Sequence, residues 1–246
     1  MRKTLLFLTI LLCCIGGLVL SKVNQSSIEH SGENFTYDHK LESDDISNTI
    51  LTESQKSTNP HQYCKYIVVP ATDQMPALCF EITGRMESDN LYETFYYPIK
   101  IVITAGETVI QQLDFHEDDF APCNLDDFGF EYGNFRFDGY GGFKLLSTSL
   151  GKNPSYYVWV WDENEKSFRE YPDLEMVGYI TFDYNNQQIK VSSSGGNAYH
   201  EFLTYEYIND KLTLIEKAID ADDYRKVYKL KDGEMKLIET IESQLK

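Results

Sequence analysis

Cysteine, histidine and basic residues are all scarce in this chain. Among its 246 residues, five are cysteine and five are histidine, and 22 Lys and Arg stand against 39 Asp and Glu. Cys13 and Cys14 lie in the apolar start, and the remaining Cys64, Cys79 and Cys123 have no spacing that suits zinc. His30, His39 and His61 fall in or beside a polar stretch, which leaves His116 and His200 for any site in the folded part. No Gly-rich phosphate loop, nucleophile elbow or paired-histidine metal motif is present. The net charge of −17 repels nucleic acid and anionic lipid and attracts cationic partners by long-range steering. Catalysis therefore has little to stand on, and the expectation is a binding protein rather than an enzyme.

What is there begins with an export signal. Met1-Arg2-Lys3 is a basic start, and Thr4 to Leu20 follows without a charge. That is the pattern of a signal peptide cleaved after Ser21, and at this length also of a membrane anchor. Cys13 and Cys14 offer lipid attachment, although Leu12 stands where a small residue is expected. Residues 1–21 are thus read as signal or anchor, placing the protein in the periplasm or cell envelope. Residues 22–62 are rich in Ser, Asn, Asp, Glu and Thr without hydrophobic period. Such a segment buries too little apolar area to offset its ordering entropy, and it reads as a disordered tether. Contact with a membrane is expected only through the N-terminal segment.

Residues 63–246 read as one β-rich domain. Tyr96 to Thr104 and Val109 to Phe115 flank the turn Ala105-Gly106-Glu107. Tyr156 to Trp161 and Ser167 to Tyr171 flank a five-residue polar turn. Phe202 to Tyr207 and Leu212 to Glu216 flank Ile208-Asn209-Asp210-Lys211, and Lys226 to Leu230 and Met235 to Ile241 flank Lys231-Asp232-Gly233-Glu234. Four hairpin signals in succession predict an all-β meander. Ile238 to Lys246 is the one stretch read as helix. A repeat also emerges: Phe135 to Glu170 and Ile180 to Glu216 share an aromatic-Asp step, a short strand, a polar loop, an aromatic strand and a closing strand. Their offset of roughly 45 residues is that of a four-stranded propeller blade, so the expected fold is antiparallel hairpins in blade-like, propeller-like repeats.

Export to an oxidising compartment favours a disulfide. Cys64 and Cys79 flank an apolar stretch that can fold back on itself and are the preferred pair, leaving Cys123 as a thiol. Cys79 with Cys123 is the alternative. Trp159 and Trp161 share one strand face and read as a core or inter-blade seam. Asn134-Phe135-Arg136-Phe137-Asp138-Gly139-Tyr140 has the outline of a calcium loop, with Asn134 and Asp138 as oxygen ligands and a glycine at the sixth position. Arg136, however, stands where an oxygen ligand belongs, so no cofactor is expected and calcium is only the alternative.

The runs FRFDGYGGFKLL, YYVWVWDENEKSFREYPDL and SSSGGNAYHEF, within residues 130–240, resemble the bacterial β-propeller-like lysozyme inhibitors that serve as immunity proteins beside type IV secretion effectors. That family reads Asp-x-Asn-Phe-Asp-Gly-Tyr-x-Asp-Leu at the loop. Asn134, Arg136 and Gly142 are departures from it. The resemblance implies an inhibitor that fills the cleft of a cationic cell-wall hydrolase, whose charge an acidic surface complements. It also implies contact through loops between blade strands. The candidates are Ser194, Gly195, Gly196, Asn197, Tyr199 and His200 in one loop, and Asn153 and Tyr156 in the equivalent loop of the preceding repeat. The rival readings are a carbohydrate-binding module and a structural envelope protein.

Overall fold

A computed structural model describes residues 51–56, 61–89, 93–116, 118–124, 128–150, 153–196 and 198–242. The segment read as signal, most of the segment read as tether, and Asn197 lie outside the described residues. Among the described residues, no helix is long and apolar enough to cross a membrane.

Among the described residues, fifteen strands and one short 3-10 turn (Pro172–Leu174) make up the fold. The strands follow one another as antiparallel neighbours in three sheets. The first contains β1 (Leu51–Lys56), β2 (Gln62–Val69), β3 (Leu78–Asp89), β4 (Glu93–Ala105) and β5 (Thr108–Asp114). The second contains β6 (Glu131–Gly133), β7 (Gly142–Leu150), β8 (Asn153–Asp162) and β9 (Ser167–Glu170). The third contains β10 (Tyr179–Asp183), β11 (Gln188–Gly196), β12 (Tyr199–Ile208), β13 (Lys211–Ala221), β14 (Tyr224–Lys231) and β15 (Glu234–Glu242). All four hairpins read from the sequence are present. Their turns obey local chemistry: Asn209 and Asp210, and likewise Asp232 and Gly233, carry the paired positive φ of a two-residue hairpin turn.

The repeat resolves strand for strand. β6 to β9 and β10 to β13 are successive up-and-down units, and the rings of Phe135 and Phe182 stack at 4.5 Å between them. The blade length of four strands holds in the second sheet alone, since the third adds β14 and β15 and the first has five strands. Pairing also starts earlier than expected, because Leu51–Lys56, within the segment read as tether, lies along β2.

The second sheet is packed on both faces, which explains the unbroken apolar run of β8. Alternation sends Trp159 and Trp161 to one side, where they join Phe143, Phe168, Phe80, Ile82 and Ile101 of the core shared with the first sheet. Val158 and Val160 point the other way, into a core with Ile180, Ile189 and Val191 of the third sheet. A strand buried on both faces loses the polar alternation that marks a half-exposed one.

Two expectations are corrected. Ile238 to Lys246 is not helical as far as it is described: residues through Glu242 form β15, whose ladder with β14 engages the backbone. The expected Cys64–Cys79 disulfide is also absent, and Cys64, Cys79 and Cys123 are all thiols. Register forbids the bond. Cys64 lies opposite Thr83 while Cys79 lies opposite Val68. Four ladder positions are roughly 13 Å, against the ~4.4–6.8 Å between Cα atoms that a disulfide spans. The alternative pairing fails by more, because Cys79 faces Thr104 and Cys123 bridges Tyr96, eight residues away on β4. Burial, with Glu81 close by, pushes the thiols of both Cys64 and Cys79 up.

Candidate functional site

Asn153 and Ser194, from the two loops singled out in the sequence, meet at one edge of the second and third sheets. β10 begins at Tyr179, opposite Ser192 of β11, so beyond that point β11 has lost its neighbour. Ser194 lies two residues further on, with an amide and a carbonyl facing the gap. The side chain of Asn153, the first residue of β8, fills it. Its Nδ2 donates to the Ser194 carbonyl at 2.7 Å, and the Ser194 amide donates to its Oδ1 at 2.8 Å. One primary amide thus takes the place of a missing strand's peptide group, and it ties the second sheet to the third. The same seam is closed by Gly178 N–H donating to the Pro154 carbonyl at 2.7 Å and by a bridge between Ser155 and Val177.

Past the bridge, β11 bulges between Ser194 and Gly196, and the Ser194 hydroxyl donates to the Gly196 carbonyl at 2.9 Å. Gly196 has a φ of +131°, a conformation that favours glycine. At Gly195 a side chain would collide with the ring of Tyr199, only 2.9 Å from where a Cβ would sit. Gly195, Gly196, Tyr199 and His200 are all exposed, with Tyr199 at 38 %.

Tyr156 belongs to a neighbouring feature that the sequence did not disclose. It lines a cleft of about 500 Å³ together with Glu131, Lys144, Pro154, Tyr179 and Phe130. Lys144 is 4 % exposed, yet its ammonium is doubly partnered. It lies 2.8 Å from the Glu131 carboxylate and 3.8 Å from the centre of the Tyr156 ring. β7 places Lys144 on the face opposite Phe143 and Leu145, where its stem is covered and its charge reaches the cleft wall. Burial, reinforced by Glu131 and Tyr179, raises the Tyr156 hydroxyl above its ordinary value. Tyr179, 58 % exposed, forms the outer lip. The single charge inside FKLL was the only sequence signal for Lys144, while Glu131 and Tyr179 gave none.

Other sequence candidates have structural roles. Trp159 and Trp161 are 3 % and 7 % exposed in the seam between sheets. Cys123 is buried and exchanges backbone hydrogen bonds with Tyr96. The Asp119 carboxylate accepts the His116 amide at 2.7 Å, closing its own turn, while Glu117 and residues 125–127 lie outside the described residues. Asn134 and Asp138 do come together, but through the backbone. Asn134 Oδ1 accepts the Asp138 amide at 3.1 Å, and Asp138 Oδ1 accepts the Tyr140 amide at 3.0 Å. Gly139, at φ +89°, makes the sharp turn expected of it. Among the described residues, no three His, Cys, Asp or Glu side chains are grouped as a metal would need.

No family model matches the chain, and no curated protein matches it. Among solved structures, a Xanthomonas protein described as type IV secretion system related is similar at 16 % identity and a TM-score of 0.42, over 76 % of this chain and 93 % of that one.

Proposed function

We propose that this protein is a non-catalytic, extracytoplasmic binding protein that inhibits a cationic peptidoglycan hydrolase. The docking surface is the edge where the start of β8 and the end of β11 meet. The observation that carries this reading is the paired hydrogen bond between Asn153 and Ser194. It ties the start of β8 to the end of β11, in different sheets, so these two strand ends have little ordering entropy left to lose on association. Around it stand groups suited to a protein partner: the exposed rings of Tyr179 and Tyr199, and the cleft holding Tyr156 and Glu131. Aromatic side chains of this kind anchor interfaces. The chain's charge of −17 complements an enzyme of opposite sign, and the resemblance of residues 130–240 to lysozyme inhibitors points to a muramidase.

Trp159 and Trp161 are buried in the core and offer no platform for a sugar ring. The test is inhibition of purified muramidases by the purified protein across a range of salt. Stoichiometric inhibition that weakens with salt, and weakens further with Tyr179→Ala or Tyr199→Ala in a folded variant, is the expected result. Failure to inhibit any cationic muramidase, with measurable binding to glycan strands instead, would overturn the proposal.

A further inference from the structure

The loop between β6 and β7 is closed by hydrogen bonds to its own amides, and the cation near it is a side chain. Asn134 and Asp138 direct one oxygen each at the loop's own amides, which leaves Asp138 Oδ2 as the outward acceptor. Arg136 Nε lies 3.5 Å from that oxygen. Its Nε–H is buried and makes no hydrogen bond, so the attraction to Asp138 is mainly Coulombic. The guanidinium also lies 5.7 Å from the centre of the Tyr171 ring, and Arg169 approaches the same ring at the same distance. Arg169 Nε in turn lies 3.3 Å from Asp162 Oδ2, while Asp162 Oδ1 accepts the amides of Asn164 and Glu165. Arg136, Tyr140, Trp161, Asp162 and Arg169 together line a cleft of about 220 Å³.

Calcium takes six to eight oxygen ligands. The described residues offer few oxygens here that are not already engaged by backbone amides, and they add two permanent positive charges. The residues present do not fit the ion. We propose that Arg136 replaces the divalent cation. Its guanidinium is a tethered charge that draws in Asp138 and packs on Tyr171, and so closes the Asn134–Tyr140 loop against β9 and the 3-10 turn without metal. An arginine suits the task because it stays charged at every working pH and stacks on an aromatic ring.

The experiment compares thermal unfolding of the full chain in chelator and in excess calcium, for the natural sequence and for Arg136→Asn, which restores an oxygen at that position. The natural protein should unfold at one midpoint in both conditions and give no heat of binding on calorimetric titration with calcium. Arg136→Asn should unfold about 2–4 °C lower in chelator and in calcium alike, because one added oxygen does not supply the six to eight ligands the ion takes. Arg136→Lys, keeping the charge but not the planar stack, should fall between the two and ignore calcium. Calcium binding by the natural protein would overturn the proposal, and the calorimetric titration reads this even if Arg136→Asn does not fold. An Arg136→Asn variant as stable in chelator as the natural protein would overturn it too.

Discussion

Replacing Asn153 with alanine tests how the two sheets are joined. The substitution removes both hydrogen bonds to Ser194, at 2.7 and 2.8 Å, and leaves the backbone amide and carbonyl of a half-buried residue without those partners. A net contribution of about 0.5–1.5 kcal/mol for each bond gives about 1–3 kcal/mol in total. For a chain of this size, that is a fall in Tm of about 2–4 °C for each kcal/mol. The effect should also be local. β10 cannot extend to cover the gap, because Gly178 is held by the Pro154 carbonyl. The Ser194 amide should therefore exchange its hydrogen much faster in the variant, while Val191, which is buried and paired with both β10 and β12, keeps its protection. Asn153→Asp is the sharper probe. It retains an acceptor for the Ser194 amide but sets a second carboxylate oxygen against the Ser194 carbonyl, so it should be no more stable than Asn153→Ala. Calorimetry reads the first quantity and hydrogen exchange by NMR the second. Unchanged unfolding together with unchanged exchange at Ser194 in Asn153→Ala would refute the reasoning.

Two further predictions concern the core and the acid limb of stability. Trp159→Ala removes a ring stacked on Phe143 at 4.8 Å and 3 % exposed, and should cost about 3–5 kcal/mol in urea unfolding; a loss below about 1 kcal/mol would mean that the seam between the first two sheets is not load-sharing at this ring. The Asp183 carboxyl is held down to about 2 from its ordinary 3.8 by hydrogen bonds from the Asn186 side chain and Lys190, then the Asn186 amide. Since its folded value is the lower one, its stabilisation is complete above about pH 4 and is lost as pH falls toward 2. Asp183→Asn should flatten that part of the stability curve, and natural and variant curves running parallel over the window would exclude the assignment.

How much of this was legible depended on distance along the chain. The hairpins between Tyr96 and Glu242 were readable because a turn such as Asp232-Gly233 and the alternation on either side are local facts of φ preference and side-chain direction. The strand YYVWVW was likewise readable, and so was the placement of its tryptophans, since alternation puts Trp159 and Trp161 on one face wherever the strand goes. The terminal segment misled because Ile238, Ile241 and their polar neighbours carry no decisive local period, and it is the ladder to β14 that makes them strand. The cysteines misled for a related reason. Proximity in sequence suggested a bond, but whether Cys64 faces Cys79 or Thr83 depends on the length of the connection and the packing of alternate residues.

The candidate site divides the same way. Gly195 and Gly196, with Tyr199 after them, announced an unusual connection, and the structure has a bulge and a positive φ there. That Asn153 would substitute for a strand at Ser194, 41 residues away, required the third sheet to be in place. The sequence by itself determined acidity, strands and turns, because these follow from composition and from interactions within a few residues. Tertiary structure alone decided which faces were buried on both sides, where Lys144 found Glu131 and Tyr156, which thiols stayed apart and what Arg136 neutralises. Each of those depends on register and sheet stacking, which no local preference encodes.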